Sequence, residues 1–163
     1  MREAYNRDAI AALIARRVCR TVFCDLNLRA PFYTPETVDF CLSHAQVVKL
    51  SETELAYVLC DLLHVDAPEY DKGLRALAAA YPNLSLVLLT CGEQGAYAYV
   101  AKEDSLTFAP AKQVEVVSTV GAGDSFGATF FTHYLNGVSI DECLRLATER
   151  SAYVVAHLSA IPD

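Results

Sequence analysis

The sequence predicts an α/β fold: three layers, with a mostly parallel sheet covered by helices on both faces and an antiparallel edge. Three observations predict it. Short apolar runs bounded by turn residues alternate with longer segments of helical period along the chain. The runs Gln46–Leu50 and Leu84–Leu89 are apolar almost throughout, as strands buried on both faces require. A glycine-rich turn, Gly121-Ala122-Gly123, leads directly into an amphipathic segment, the arrangement that puts bare helix N–H groups beside a ligand.

In chain order, residues 6–17 read as a helix with Ala11, Ile14 and Val18 on one side, and Thr21–Leu26 as a buried strand. Pro35-Glu36 opens the next helix, since proline suits the first helical position and an acid complements the helix dipole there. After the strand Gln46–Leu50, Ser51 is an N-cap with Glu54 three residues on, a capping-box spacing. Residues 68–80 form a helix and Leu84–Leu89 a strand. Gly92 and Gly95 make a turn. Ala96–Val100 alternates as a strand does, and Ser105–Phe108 pairs back across Lys102-Glu103-Asp104 as an edge meander. Two helices close the chain, from Gly121 to about Asn136, ended by Asn136-Gly137, and from about Ile140 to His157. The second carries Ile140, Leu144, Ala147, Ser151, Val154 and Leu158 on one stripe.

At 163 residues and 53% hydrophobic content the chain, residues 1–163, is read as a single domain with one sizeable core. No apolar run reaches the roughly 20 residues of a membrane span, and residues 1–8 lack the apolar stretch of a signal peptide, so a cytoplasmic location and no membrane partner are expected. A net charge of −7 argues against nucleic acid, whose phosphates call for clustered Lys and Arg. A nucleotide, held by backbone donors and a cation, remains compatible. The six cysteines, at positions 19, 24, 41, 60, 91 and 143, show no Cys-x-x-Cys or zinc spacing and read as small packing residues. His44, His64, His133 and His157 fall into no catalytic or metal pattern.

The chemistry concentrates at Ser118-Thr119-Val120-Gly121-Ala122-Gly123-Asp124. A helix N-terminus attracts an anion, so a carboxylate beside it needs a task, and accepting a proton from a hydroxyl that attacks phosphate is one. An acidic N-terminal cap is the alternative. No Gly-Lys-Ser/Thr follows, which excludes a Walker P-loop, and no strand with a ribose-binding acid follows Gly121, Gly123 and Gly127, which excludes the dehydrogenase fingerprint.

The chain resembles the PfkB or ribokinase-like sugar kinases, whose second signature is Asp-Thr-x-Gly-Ala-Gly-Asp at a helix start. Three further segments match in order. Asp25-Leu26-Asn27-Leu28-Arg29 is similar to the family's Asp-x-Asn-x-Arg strand end, in its fructokinase-like form. Lys49-Leu50-Ser51-Glu52-Thr53-Glu54 is similar to its Lys-x-Asn-x-x-Glu segment, and Thr90-Cys91-Gly92-Glu93-Gln94-Gly95 to the Thr-x-Gly-x-x-Gly turn of its nucleotide site. The resemblance covers about Ala11 to Pro162.

It implies a ribokinase-like, Rossmann-like fold and ATP-dependent phosphoryl transfer to a sugar hydroxyl, with Asp124 as general base and the Gly121-Ala122-Gly123 backbone as anion hole. It further implies Ser51, Thr90, Gly92, Gly95, Gly121 and Gly123 near the nucleotide, Asn27 and Arg29 on substrate or phosphate, and Glu54 holding magnesium through water. Ser118 stands where the family usually has an aspartate that helps bind a monovalent cation, which leaves such a cation without its usual ligand, and Ser51 replaces the usual asparagine. The family's N-terminal sugar-binding and lid portion has no counterpart here. The expectation is therefore a C-terminal, nucleotide-binding part with impaired or no sugar phosphorylation unless the missing half is supplied, and with exposed apolar surface favouring homo-oligomers. A nucleotide-binding remnant and a non-catalytic α/β interaction scaffold are the alternatives.

Overall fold

The computed structural model describes residues 4–16 and 20–162. The element order is α1 (Ala4–Ala15), β1 (Phe23–Asp25), α2 (Pro35–His44), β2 (Val47–Ser51), α3 (Glu52–Tyr57), α4 (Tyr70–Ala80), β3 (Leu86–Thr90), β4 (Gly95–Val100), β5 (Ser105–Pro110), α5 (Ala122–Leu135) and α6 (Ile140–Val155). The five strands form one sheet in the order β1-β2-β3-β4-β5. β1 and β2 run parallel, with Cys24 opposite Val48 and Asp25 opposite Lys49. Ser85 and Leu86 N–H both donate to the Gln46 carbonyl, so β3 starts level with β2, whereas the bonds from Cys91 N–H to Gly95 O and from Ala101 N–H to Ser85 O turn β4 back along β3. The sheet is thus mixed, with the expected antiparallel edge.

The described chain divides into two compact units. One runs up to Leu88 and includes Tyr99–Ser105; the other comprises Leu89–Ala98 and the chain from Leu106 onward.

In the first unit the core is built from strand residues that are apolar on both faces. Val47, Val48, Leu50, Leu86, Val87 and Leu88 are fully or nearly fully buried, joined by Val38 and Leu42 of α2 and by Leu74 and Leu77 of α4. At about 1.5–3 kcal/mol for each such side chain, this burial is the main stabilising term. Thr34 caps α2 through its side chain, with Pro35 at the first helical position. Ser51 caps α3 in a complete capping box with Glu54, as its spacing predicts. A π-helical turn, Val58–Leu62, follows α3 and was not foreseen.

Two expectations need correction. β1 is half-buried rather than buried, because it lies at the end of the strand order. Its regular part is shorter than Thr21–Leu26, although Val22 O and Leu26 N–H still pair with β2 residues at 3.0–3.2 Å. Val18, placed with Ala11 and Ile14 on the first helix, lies outside the described residues, as do Arg17 and Cys19.

In the second unit, α5 and α6 pack on one another through Phe126, Phe130, Leu144, Ala147 and Val154. Leu158, assigned to the α6 stripe, is instead 84% exposed, because the helix stops at Val155. Among the described residues no helix is long and apolar enough to cross a membrane.

Candidate functional site

The turn before α5 is shaped by Gly121, which adopts φ 83° and ψ −5° at the N-cap. A Cβ there would lie 2.8 Å from Ala160 Cβ and 3.0 Å from the Ala160 carbonyl oxygen, so glycine answers both a left-handed backbone and a close neighbour. No side chain caps the helix. The N–H groups of Gly121, Gly123 and Asp124 have no acceptor among the described residues, whereas Ala122 N–H makes a long 3.3 Å bond to Thr119 O. The available donors are therefore those of 121, 123 and 124, one position later than the 121–123 set expected. The shift arises because the Thr119–Ala122 turn consumes the middle amide.

The carbonyl of Ala122 accepts two hydroxyls, Ser125 Oγ at 2.9 Å and Ser151 Oγ of α6 at 3.2 Å, which pins the first turn of α5. Asp124 follows on the exposed side of that turn.

A cavity of about 310 Å³ opens beside the turn. Its walls come from three stretches of the second unit: Thr90, Gly92, Glu93 and Gly95; Ala111–Val114 with Val116; and Thr119, Ala122, Gly123 and Phe126 with Thr148, Ser151, Ala152 and Val155 of α6. Gly95 sits at φ 131°, and a Cβ would meet Ala109 O at 2.1 Å, so this turn too depends on glycine. Gln113 Nε2 donates to Glu93 O at 3.3 Å across the two loops. Apolar walls with a few placed polar groups beside an uncapped helix start suit a ligand with a flat ring and an anionic end. Thr90, Gly92, Gly95, Ala122 and Gly123 are thus brought together, and Gly121 and Asp124 adjoin them in sequence. Lys112, Thr148 and Ser151 were not singled out as ligand contacts. The helical stripe carried a signal for Ser151, a polar residue on an otherwise apolar face.

The remaining site residues belong to the first unit. Asn27 and Arg29 line a separate concavity of about 410 Å³ with Phe32, Tyr33, Thr37 and Cys41. Asn27 takes φ 42°, and its Oδ1 accepts from Arg29 Nε at 3.4 Å. The strand that leads into them is the edge β1, not the central strand the resemblance implies.

Glu54 is heavily engaged. Oε1 accepts from Leu28 N–H at 2.6 Å, and Oε2 accepts from Ser51 N–H at 2.7 Å and Ser51 Oγ at 3.0 Å. Among the described residues no group of three or more His, Cys, Asp or Glu could hold a metal ion. Magnesium keeps several waters and needs only one or two carboxylates beside phosphate oxygens; the lone-pair capacity left on Glu54 fits contact through water, not direct ligation. Ser51 Oγ is likewise occupied within the capping box.

A family model described as "pfkB family carbohydrate kinase" matches residues 1–163. The chain belongs to that family. Among curated relatives, this pfkB-family chain is 28% identical to ribokinase of Arabidopsis thaliana over 75% of its own length and 31% of the relative's. It is 27% identical to fructokinase-2 of Solanum lycopersicum over 91% of its length and 46% of that protein's, and 36% identical to cytidine kinase of Thermococcus kodakarensis over 43% of its length and 25% of that protein's. It therefore spans less than half the length of these relatives. Adenosine kinase from Schistosoma mansoni, solved in complex with 2-fluoroadenosine, superposes with a TM-score of 0.80 at 17% identity over 96% of this chain and 48% of that one. A ribokinase from Thermotoga maritima gives 0.75 at 18% over 91% and 48%. These likenesses establish a shared ribokinase-like fold.

Proposed function

We propose that this chain is the nucleotide-binding part of an ATP-dependent carbohydrate kinase of the fructokinase-like kind. The observation that carries the reading is the cavity of the second unit, whose walls meet an uncapped helix start with amides at Gly121, Gly123 and Asp124 free to receive an anion. The base of the nucleotide lies between the Thr90–Gly95 turn, the 111–116 stretch and α6, and its phosphates lie toward the α5 N-terminus. ATP supplies the phosphoryl group, and magnesium neutralises charge on its oxygens.

Asp124 holds a carboxylate in the first turn of α5, exposed to an incoming hydroxyl, and takes that hydroxyl's proton as it attacks. Such a positioned base contributes about 10²–10⁴-fold. Gly121, Gly123 and Asp124 N–H groups stabilise charge on the transferred group, as preorganised donors do without reorienting. In the first unit Asn27 and Arg29 supply an amide and a guanidinium for a phosphate or sugar oxygen. Glu54 orients a metal-bound water.

Titanium-dry arguments from fold are not needed to test this: thermal melting with adenosine, ATP, and ATP with magnesium separates the readings. A magnesium-dependent rise at millimolar ATP supports the proposal, because a ligand at about 100 times its Kd adds about 2.7 kcal/mol. The absence of any shift refutes it and leaves a non-catalytic scaffold. Transfer to fructose by this chain alone is expected to be weak or absent, since an acceptor hydroxyl that is not held in place loses the advantage of proximity. Asp124→Asn retains ATP binding and removes whatever transfer there is.

A further inference from the structure

Cys24 and Cys41 form a pair that the proposed kinase chemistry does not use. Cys24 lies on β1 and Cys41 on α2, the helix that crosses from β1 to the parallel strand β2. Cys41 falls on the inward stripe of α2 between buried Val38 and Leu42, with Ala45 one turn on, which turns it toward the sheet. The two thiols are hydrogen-bonded to each other, and both residues are half-buried free cysteines. Cys41 also lines the open concavity that contains Asn27 and Arg29, so a small reagent can reach it.

We propose that Cys24 and Cys41 are a redox-active dithiol that a small disulfide of the glutathione class converts to an intramolecular disulfide. The Cys41 thiolate attacks one sulfur of the oxidant; its S–S bond breaks and one glutathione thiolate departs with the electron pair, leaving a mixed disulfide on Cys41. Cys24 then gives its proton to solvent and attacks the Cys41 sulfur, expelling the second glutathione thiolate. Two protein thiols are oxidised and one glutathione disulfide is reduced to two thiols.

The order of the steps follows from the pair's asymmetry. The Cys24 thiol donates to Cys41, which lowers the latter to about 7, while that same bond, burial and the Asp25 carboxylate push Cys24 upward. The thiolate is the attacking form, so Cys41 is the entry point and Cys24 the resolving thiol.

The test uses the whole chain. After incubation with glutathione disulfide, free thiols are alkylated in denaturant and disulfide-linked peptides are mapped by mass spectrometry. The exposed Cys60 serves as an internal control for reagent access. The expected result is a Cys24–Cys41 linked peptide, reversed by dithiothreitol, with Cys91 and Cys143 alkylated. Cys24→Ser should instead trap a glutathione adduct on Cys41. The proposal is overturned if Cys60 carries glutathione while Cys24 and Cys41 remain alkylatable, or if the wild-type chain accumulates separate adducts on the two cysteines without a link between them. The wild-type map requires no variant to fold.

Discussion

Replacing three glycines of the second unit by alanine, one at a time, should produce a graded loss of stability. At Gly92 the backbone is left-handed at φ 53° and a Cβ meets nothing within 4 Å, so only conformational strain applies, about 1–2 kcal/mol. At Gly121 similar strain at φ 83° is joined by contacts of 2.8–3.1 Å with Ala160, two of them to backbone. Overpacking of that kind adds about 1–3 kcal/mol, for about 3 in total and a fall of about 6–12 °C in Tm. At Gly95, φ 131° with ψ −143° is a region open to glycine almost alone, and the Cβ would lie 2.1 Å from Ala109 O. The hairpin must part there. It would lose the 2.8 Å bond from Cys91 N–H to Gly95 O and the 3.1 Å bond from Ala111 N–H to Gln94 O, about 1 kcal/mol each on top of the strain. The sum exceeds about 4 kcal/mol, a large share of the 5–15 kcal/mol that holds a typical protein folded. Urea denaturation followed by circular dichroism gives the ordering directly. Equal midpoints for the Gly92→Ala and Gly95→Ala variants would refute the reasoning.

The Lys49 ammonium, 6% exposed, pairs with Asp25 at 2.8 Å; Lys49→Met should cost about 3 kcal/mol by stranding the acid, and Lys49→Met with Asp25→Leu should recover much of it in urea melts. Ser151→Ala removes one of the two hydroxyls on Ala122 O. It should weaken ATP by about two- to twelvefold, the equivalent of about 0.5–1.5 kcal/mol, while leaving adenosine nearly unchanged in calorimetry, and Ser151→Thr should restore it. Alkylation of Cys41 should climb as pH rises through about 7, below the ordinary thiol value of 9.0, since its folded acid is the stronger one and the thiolate reacts; Cys24→Ser should shift that midpoint upward, as read by rates of iodoacetamide labelling.

Local signals carried most of the fold. The capping box at Ser51 and Glu54, proline at the start of α2, the apolar runs of β2 and β3, and the glycines at 92, 95 and 121 each act within a few residues, and each appears where its spacing predicts. Features that depend on partners distant in sequence were not legible. Strand order decides that β1 lies at an edge, so its apolar run could not disclose half-burial. The Cys24–Cys41 contact forms only when α2 folds back over β1, and a spacing rule for metal or redox motifs has no way to register it. Likewise Lys112 and Thr148 reach the cavity from a loop and a helix that carry no motif of their own. The donors at the α5 start were read one residue early, because the Thr119–Ala122 turn is set by backbone geometry rather than by side chains.

The carboxylate of Glu54 works as a rivet. By gripping the main chain at Leu28 and at Ser51 it fastens the segment leaving β1 to the junction of β2 and α3. A cation visiting through water can come and go without loosening that joint. Substitution of the acid, in contrast, frees the stretch that presents Asn27 and Arg29, so a catalytic defect at this position would travel together with a mechanical one.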